Sequence, residues 1–207
     1  MRVPIHILLA TLTFLIGNSS ALRAAESIAA KSPTIACNGG DQNLKSYLQI
    51  HKVLFTERDV TRVAEFYAPE VISHNVDQGG DGTRKVTTSQ MAAMWAASKK
   101  NNPDRVLADD LIICSGDYVI VRTMVHNADT IGQDGNPPTG KAYLISAIDI
   151  YRFKDGKVVE RWGNSDLVSM YRQIGYVIMP PRVSRLLQPE SSPSQSSGPS
   201  QNTQAPR

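Results

Sequence analysis

Carboxylates set among apolar and aromatic neighbours are the residues best placed to move a proton in this chain. Tyr143, Ile145, Ala147, Asp149, Tyr151 and Phe153 recur at every second position, so one face of an extended strand carries all six. If that face is internal, loss of water disfavours the Asp149 anion and raises its pKa toward the range a general acid needs. The structural alternative pairs Asp149 with a tyrosine hydroxyl, a backbone amide or a basic side chain. Further on, Val158, Glu160, Trp162, Asn164 and Asp166 share the same parity. Strict alternation therefore predicts an aromatic wall beside an amide and a carboxylate at the end of a strand, a composition suited to a small-molecule pocket. Trp162 would equally serve as core packing, and Asp166 as N-cap of a helix over Leu167 to Ile174. His74 closes a short apolar stretch and His126 closes a strand; either is a candidate for proton transfer, although a histidine there also serves as a hydrogen-bonded structural residue.

Other chemistries are excluded by pattern. The run Gly135-Asn136-Pro137-Pro138-Thr139-Gly140-Lys141 has phosphate-loop spacing, but its prolines remove backbone donors, Ala142 lacks the magnesium-holding hydroxyl, and a period-two stretch follows instead of a helix. No H-E-x-x-H, paired C-x-x-C or acidic calcium loop occurs, so a metal is not implied. There is no G-x-S-x-G elbow, and Leu111-Ile112-Ile113-Cys114 is too apolar to activate a thiol. A net charge of +3 without Lys or Arg runs gives no phosphate-tracking stripe, so nucleic acid is not an expected partner.

The elements that must position these groups fall into two halves. Asp41 is expected to cap a helix with Leu44, Tyr47, Leu48, His51, Leu54 and Phe55 on one stripe. Asp59 caps a shorter one carrying Val60, Val63, Ala64 and Tyr67, which Pro69 stops. Thr87 and Gln90 form a capping box ahead of Met91, Met94, Trp95 and Ser98, with Pro103 as the bound. From Arg105 the period becomes two. Arg105 to Cys114 and Tyr118 to Asn127 read as one hairpin; Lys141 to Phe153 and Lys157 to Trp162 read as another, turning at Asp155-Gly156. Helices followed by long antiparallel strands predict an α+β layer, with helices packed on a curved sheet.

The 207 residues allow one domain with appendages. Residues 1–21 read as an export signal, from Arg2, the apolar run Ile5 to Ile16 and the small residues Ser19-Ser20-Ala21. Residues 22–40 read as a linker, 41–178 as the domain, and 179–207 as a disordered tail rich in Pro, Ser and Gln. The expected location is secreted or periplasmic, without a membrane anchor. In an oxidising compartment Cys37 and Cys114 could pair.

Several segments resemble one family. They are Phe66-Tyr67-Ala68-Pro69-Glu70-Val71-Ile72-Ser73-His74, Pro138-Thr139-Gly140-Lys141, the hairpin Asp149 to Trp162 ending at Asp166, and Gln173-Ile174-Gly175. Over residues 43–176, in the right order, the chain is similar to the SnoaL-like polyketide cyclase (ester cyclase) family. The resemblance implies a nuclear-transport-factor-2-like cone, a bent antiparallel sheet with three helices enclosing an apolar cavity, and a homodimer as a further expectation. It implies ring closure by aldol chemistry without metal or cofactor, with the acidic residue after the hairpin tryptophan, Asp166, as acid/base and His74 in the cavity. His126 does not match the family's histidine motif and inherits no role.

The resulting expectation is an exported protein that binds a small apolar carbonyl compound and moves a proton on it. Asp166, His74 and Asp149 would be catalytic, and Trp162, Trp95, Tyr67, Asn164 and Tyr143 would bind substrate. The alternative is a non-catalytic ligand-binding or assembly module on the same fold.

Overall fold

The structure, a computed structural model, describes residues 25–28, 30–74, 82–133 and 135–176. The segments read as export signal and C-terminal tail lie outside them.

Helix α1, Asp41–Ile50, continues into a π-helical turn, His51–Thr56, and together they bury Tyr47, Ile50, Val53 and Leu54. Gly40 occupies the N-cap position, and Asp41 lies in the first turn without acting as the cap. The glycine is required because its φ is 78° and an added Cβ would sit 2.9 Å from the Gly116 carbonyl oxygen. Asp59 caps the next turn as expected, accepting from the Thr61 N–H at 3.2 Å. The short helix α2, Val63–Phe66, follows. The Thr87–Gln90 capping box is formed and starts α3, Thr88–Asn101. Asp166 caps α4, Leu167–Ile174, and glycine at position 175 ends it with φ 91°.

Among the described residues the sheet has seven strands: β1 Thr34–Asn38, β2 Tyr67–His74, β3 Thr83–Thr87, β4 Val106–Ser115, β5 Tyr118–Ala128, β6 Ala142–Lys154 and β7 Lys157–Ser165. Their order is β1-β4-β5-β6-β7-β2-β3, curved and unclosed. It is not wholly antiparallel, since β1 runs parallel to β4 and β2 parallel to β7. Both exceptions come from the N-terminal half of the chain: β1 forms one edge of the sheet, and β2 lies between β7 and the other edge strand, β3. Two short strands escaped the sequence reading: β1 lies within the stretch read as a linker, and β3 is the polar run Thr83–Thr87.

A disulfide joins Cys37 on β1 to Cys114 on β4. Parallel pairing places the two residues directly opposite each other, with Cα atoms 4.3 Å apart. Closing a 77-residue separation restricts the unfolded chain by about 4–5 kcal/mol in the chain-entropy account.

The helices cover one face of the sheet. Between them, Tyr47, Tyr67, Tyr151, Phe153, Val119 and Val158 are almost fully buried. The other face leaves Tyr118, Leu144 and Ile148 exposed.

One irregularity decides what faces inward at the end of the chain. On β7, Val158 pairs with Phe153 and Glu160 with Arg152, so Val159 is an extra, bulged residue. Because a strand alternates strictly, the extra residue shifts all later side chains to the opposite face. Val158 lies in the core, after which Arg161, rather than Glu160, turns inward.

Candidate functional site

A cavity of about 440 Å³ lies between the helices and the inner faces of β4 to β7. Strand β6 supplies its floor: Tyr143, Ile145, Ala147, Asp149 and Tyr151 all line it, as the period-two reading requires. Trp95 of α3 forms a side wall, packed edge-on against Tyr67 at 5.5 Å and Phe55 at 5.9 Å.

Asp149 meets Arg161 across the β6–β7 pair, with the guanidinium donating to Oδ1 at 2.5 Å. Burial pushes the Asp149 carboxyl up from the ordinary aspartate value, the neighbouring Arg161 charge opposes that, and the net direction is upward. Burial alone would lower the Arg161 pKa, but Asp149, Tyr151 and Tyr67 together outweigh it and the guanidinium is held firmly charged. Gly163 makes room for the pair: a Cβ there would stand 2.6 Å from Asp149 Oδ1 and 2.7 Å from an Arg161 nitrogen. Tyr151 and Tyr67 stand beside it, and burial raises both phenol pKa values. The Tyr67 hydroxyl is buried and has no hydrogen-bond partner among the described residues. Tyr67 lines a smaller recess of about 50 Å³ that shares Trp95 and Arg161 with the main cavity.

At the other end of the β6 floor, Asn127 donates to the Asn102 side-chain oxygen at 2.6 Å and to the Tyr143 hydroxyl at 3.1 Å. Beneath the cavity wall, buried Asp109 accepts from the Tyr47 hydroxyl and the Thr123 hydroxyl, each at 2.7 Å. Its carboxylate is satisfied internally and serves to fix Tyr47, whose ring packs on Tyr151 at 5.4 Å.

Three expected site residues lie on the opposite face of the sheet. His74 donates or accepts through Nδ1 with Thr83 at 3.0 Å, and its Nε2 lies 2.8 Å from Glu160 Oε1. Arg152 donates to Glu160 Oε2 at 2.6 Å. Trp162 stacks on His74 with ring centroids 4.7 Å apart, and Asn164 lies beside them in a shallow outer groove with Ile148 and Ile150. The physical reason is the Val159 bulge, which turns Glu160, Trp162 and Asn164 away from the cavity. His74 follows on β2, where Val71 and Ser73 are the buried positions.

Asp166 takes the second of its two expected places, as N-cap of α4, and does not line the cavity. It is exposed, its Oδ1 accepts from the Ser169 N–H at 3.0 Å and its Oδ2 from the Ser169 hydroxyl at 2.6 Å. Those two donors hold its pKa below the usual aspartate value. Its neighbours Ser165 and Leu167 line the cavity, whereas Asp166 acts as helix cap. His126 is buried on the non-cavity face of β5, where loss of water pushes its imidazole pKa down.

The structure therefore brings together Asp149, Trp95 and Tyr143 in the cavity, with Tyr67 just behind it. Sequence reasoning missed Arg161, Gly163 and Asn127. Asn127 continues the inward parity of Val119, Val121, Thr123 and Val125 and was reachable by counting; Arg161 required knowledge of the bulge. Among the described residues no group of three or more His, Cys, Asp or Glu side chains is arranged to hold a metal.

Comparison with solved structures adds relatives of the same shape. IdmH from Streptomyces antibioticus, a candidate polyketide cyclase, is 25% identical over 65% of this chain and 99% of its own, with a TM-score of 0.57. AclR from Streptomyces galilaeus, a candidate hydroxylase, is 21% identical over 72% of this chain and 95% of its own, with a TM-score of 0.56. TsrD from Streptomyces laurentii is 19% identical over 68% of this chain and 100% of its own, with a TM-score of 0.57. The last two establish likeness of fold alone. Comparison with curated proteins gives no match. The fold is that of the nuclear transport factor 2-like superfamily. The SnoaL-like polyketide cyclase profile matches residues 45–174, which span most of the described body, and the chain belongs to that family.

Proposed function

We propose that this protein binds a small, largely apolar carbonyl compound in its cone cavity and moves a proton on the carbon next to the carbonyl, without a cofactor. The observation that carries this reading is the Asp149–Arg161 pair on the wall of a cavity of about 440 Å³. A carboxylate with little water around it gains basicity, so Asp149 is the group to take the proton. Arg161 has further N–H donors beyond the one given to Asp149, and a fixed donor stabilises the enolate oxygen as its charge develops. The acid/base role thus passes from Asp166 to Asp149, and His74, Trp162 and Asn164 have no part in it. Export accompanies this reading. It is supported by the apolar N-terminal run and by the Cys37–Cys114 disulfide, since cytosolic thiols are kept reduced.

A binding role without turnover has one observation in its favour: Asp149 is already engaged by Arg161, an arrangement that also suits a purely structural pair. Hydrogen exchange separates the two. The bicyclic ketone 2-tetralone, incubated with the protein in D₂O and followed by NMR, is expected to gain deuterium beside its carbonyl faster than in buffer, and Asp149→Asn is expected to remove the acceleration. Saturable binding of the ketone with no acceleration would favour the binding role, and equal acceleration by Asp149→Asn would remove Asp149 from the chemistry.

A further inference from the structure

Among the described residues, the main cavity is lined by three arginines, Arg58, Arg105 and Arg161, and by one acidic residue, Asp149. Two of the three cations are engaged. Arg161 is paired with Asp149. Arg58 donates to the backbone oxygens of Asn102 at 2.8 Å, Pro103 at 3.0 Å and Ser98 at 3.3 Å, closing the C-terminal end of α3. Arg105 differs. Among the described residues its guanidinium has neither an ion pair nor a side-chain hydrogen bond, while its backbone N–H reaches the Asn102 carbonyl at 3.4 Å.

Its position is as distinctive as its lack of a partner. Arg105 precedes β4 and forms part of the wall of two hollows, the main cavity and a neighbouring one of about 370 Å³. Among the described residues, the one carboxylate lining that second hollow is Asp109, already held by Tyr47 and Thr123. Loss of water and the nearby Arg58 charge push the Arg105 pKa down, and the Tyr143 phenol opposes them only in part. Arg105 is half-buried, and even a partial loss of water is costly to a cation unless an anion or strong acceptors meet it.

We propose that the cavity takes a ligand bearing a carboxylate, which docks on Arg105. This deepens the carbonyl-compound reading above and rests on it. The planar guanidinium fork matches a carboxylate through two parallel hydrogen bonds. Asn127 and Tyr143 line the same end of the cavity and offer neutral polar contacts beside the fork. The Asp149–Arg161 pair lies toward the other end, with Ile145 and Ala147 between them on β6. A ligand anchored by its acid group at Arg105 would lay an apolar body along Ile145 and Ala147 and bring its reactive end toward Asp149. The acid group acts as a handle and takes no part in the proton transfer.

A matched pair of probes tests this: naphthalene-2-carboxylate and naphthalene-2-carboxamide have nearly the same size and differ in charge. Dissociation constants at neutral pH are measured by ligand-observed NMR on the folded protein. The wild type is expected to bind the carboxylate roughly tenfold more tightly than the amide, the scale of a charge-assisted hydrogen-bonded contact. Arg105→Met is expected to lose roughly that tenfold for the carboxylate and leave the amide within about threefold. Arg105→Gln keeps hydrogen-bonding capacity without charge; it is expected to lose the same preference, and it decides the matter if the Met variant fails to fold. Equal affinities in the wild type, or a preference that survives in a folded Arg105 variant, would overturn the anion site while leaving the cavity reading intact. Binding of neither probe to the wild type would overturn both.

Discussion

The two faces of the β6–β7 hairpin carry the same chemical partners, a carboxylate held by an arginine, with opposite results. Inside, Asp149 has Arg161 and little water, and its proton affinity rises. Outside, Glu160 accepts from His74 and Arg152, and those donors, His74 foremost, hold its carboxyl below the usual glutamate range. Partner identity therefore does not decide whether a carboxylate can exchange a proton near neutrality. The balance between donors gained and water lost decides it. The inner pair is suited to chemistry, and the outer cluster to tying β2, β6 and β7 together.

The sharpest way to break this contrast is substitution on each face. Asp149→Asn is expected to slow 2-tetralone exchange by about 10²–10⁴-fold, the usual contribution of a positioned acid/base group, while Glu160→Gln stays within about twofold. The reverse order, read by NMR, would exchange the roles assigned to the two faces. Gly163→Ala follows in size. Its Cβ would press on both members of the inner pair, and we expect a loss of about 1–3 kcal/mol in urea unfolding together with slower exchange. Trp162→Ala removes the stack on His74 and should cost about 1 kcal/mol without altering the affinity of the cavity for naphthalene-2-carboxamide.

The smallest effect is on the pH dependence of stability, where the two carboxylates have opposite signs. Asp149 is raised, so its contribution is fully present below the unfolded aspartate value of 3.8 and is lost as pH rises through the folded value. Glu160 is depressed, so its contribution is present above the unfolded value of 4.5 and is lost as pH falls through the folded one. Thermal unfolding followed from about pH 3 to about pH 7 should show the wild-type advantage over Asp149→Asn shrinking with rising pH. The advantage over Glu160→Gln should grow. Slopes of the same sign would contradict the contrast.

Much of the fold could be read from residue types because local signals agreed with one another. The Thr87–Gln90 box, the Asp59 cap and the Asp155-Gly156 turn each act over a few residues, and each formed as expected. The long alternation of β6 placed Asp149, Tyr143 and their neighbours on the cavity side correctly. What stayed hidden depends on distant partners. Strand β3 is short and polar, and it exists because β2 offers it a paired edge. Strand β1 forms because β4 accepts it in parallel and a disulfide fixes it there. On β7 the alternation was extended as though regular, which put Trp162 and Asn164 in the site and Arg161 out of it. Nothing in Val158-Val159 announces a bulge; it is a property of pairing with Arg152 and Phe153.

Val159 carries a consequence out of proportion to its plain aliphatic side chain. Had β7 kept regular pairing at its present length, Glu160 would point inward, toward Asp149, and Arg161 would face outward. The interior would then lose its excess of positive charge, with Arg58 and Arg105 set against Asp149 and Glu160. A single surplus backbone unit thus sets the charge balance of the chamber, so its attraction for anions depends on a residue count as well as on the charged side chains themselves.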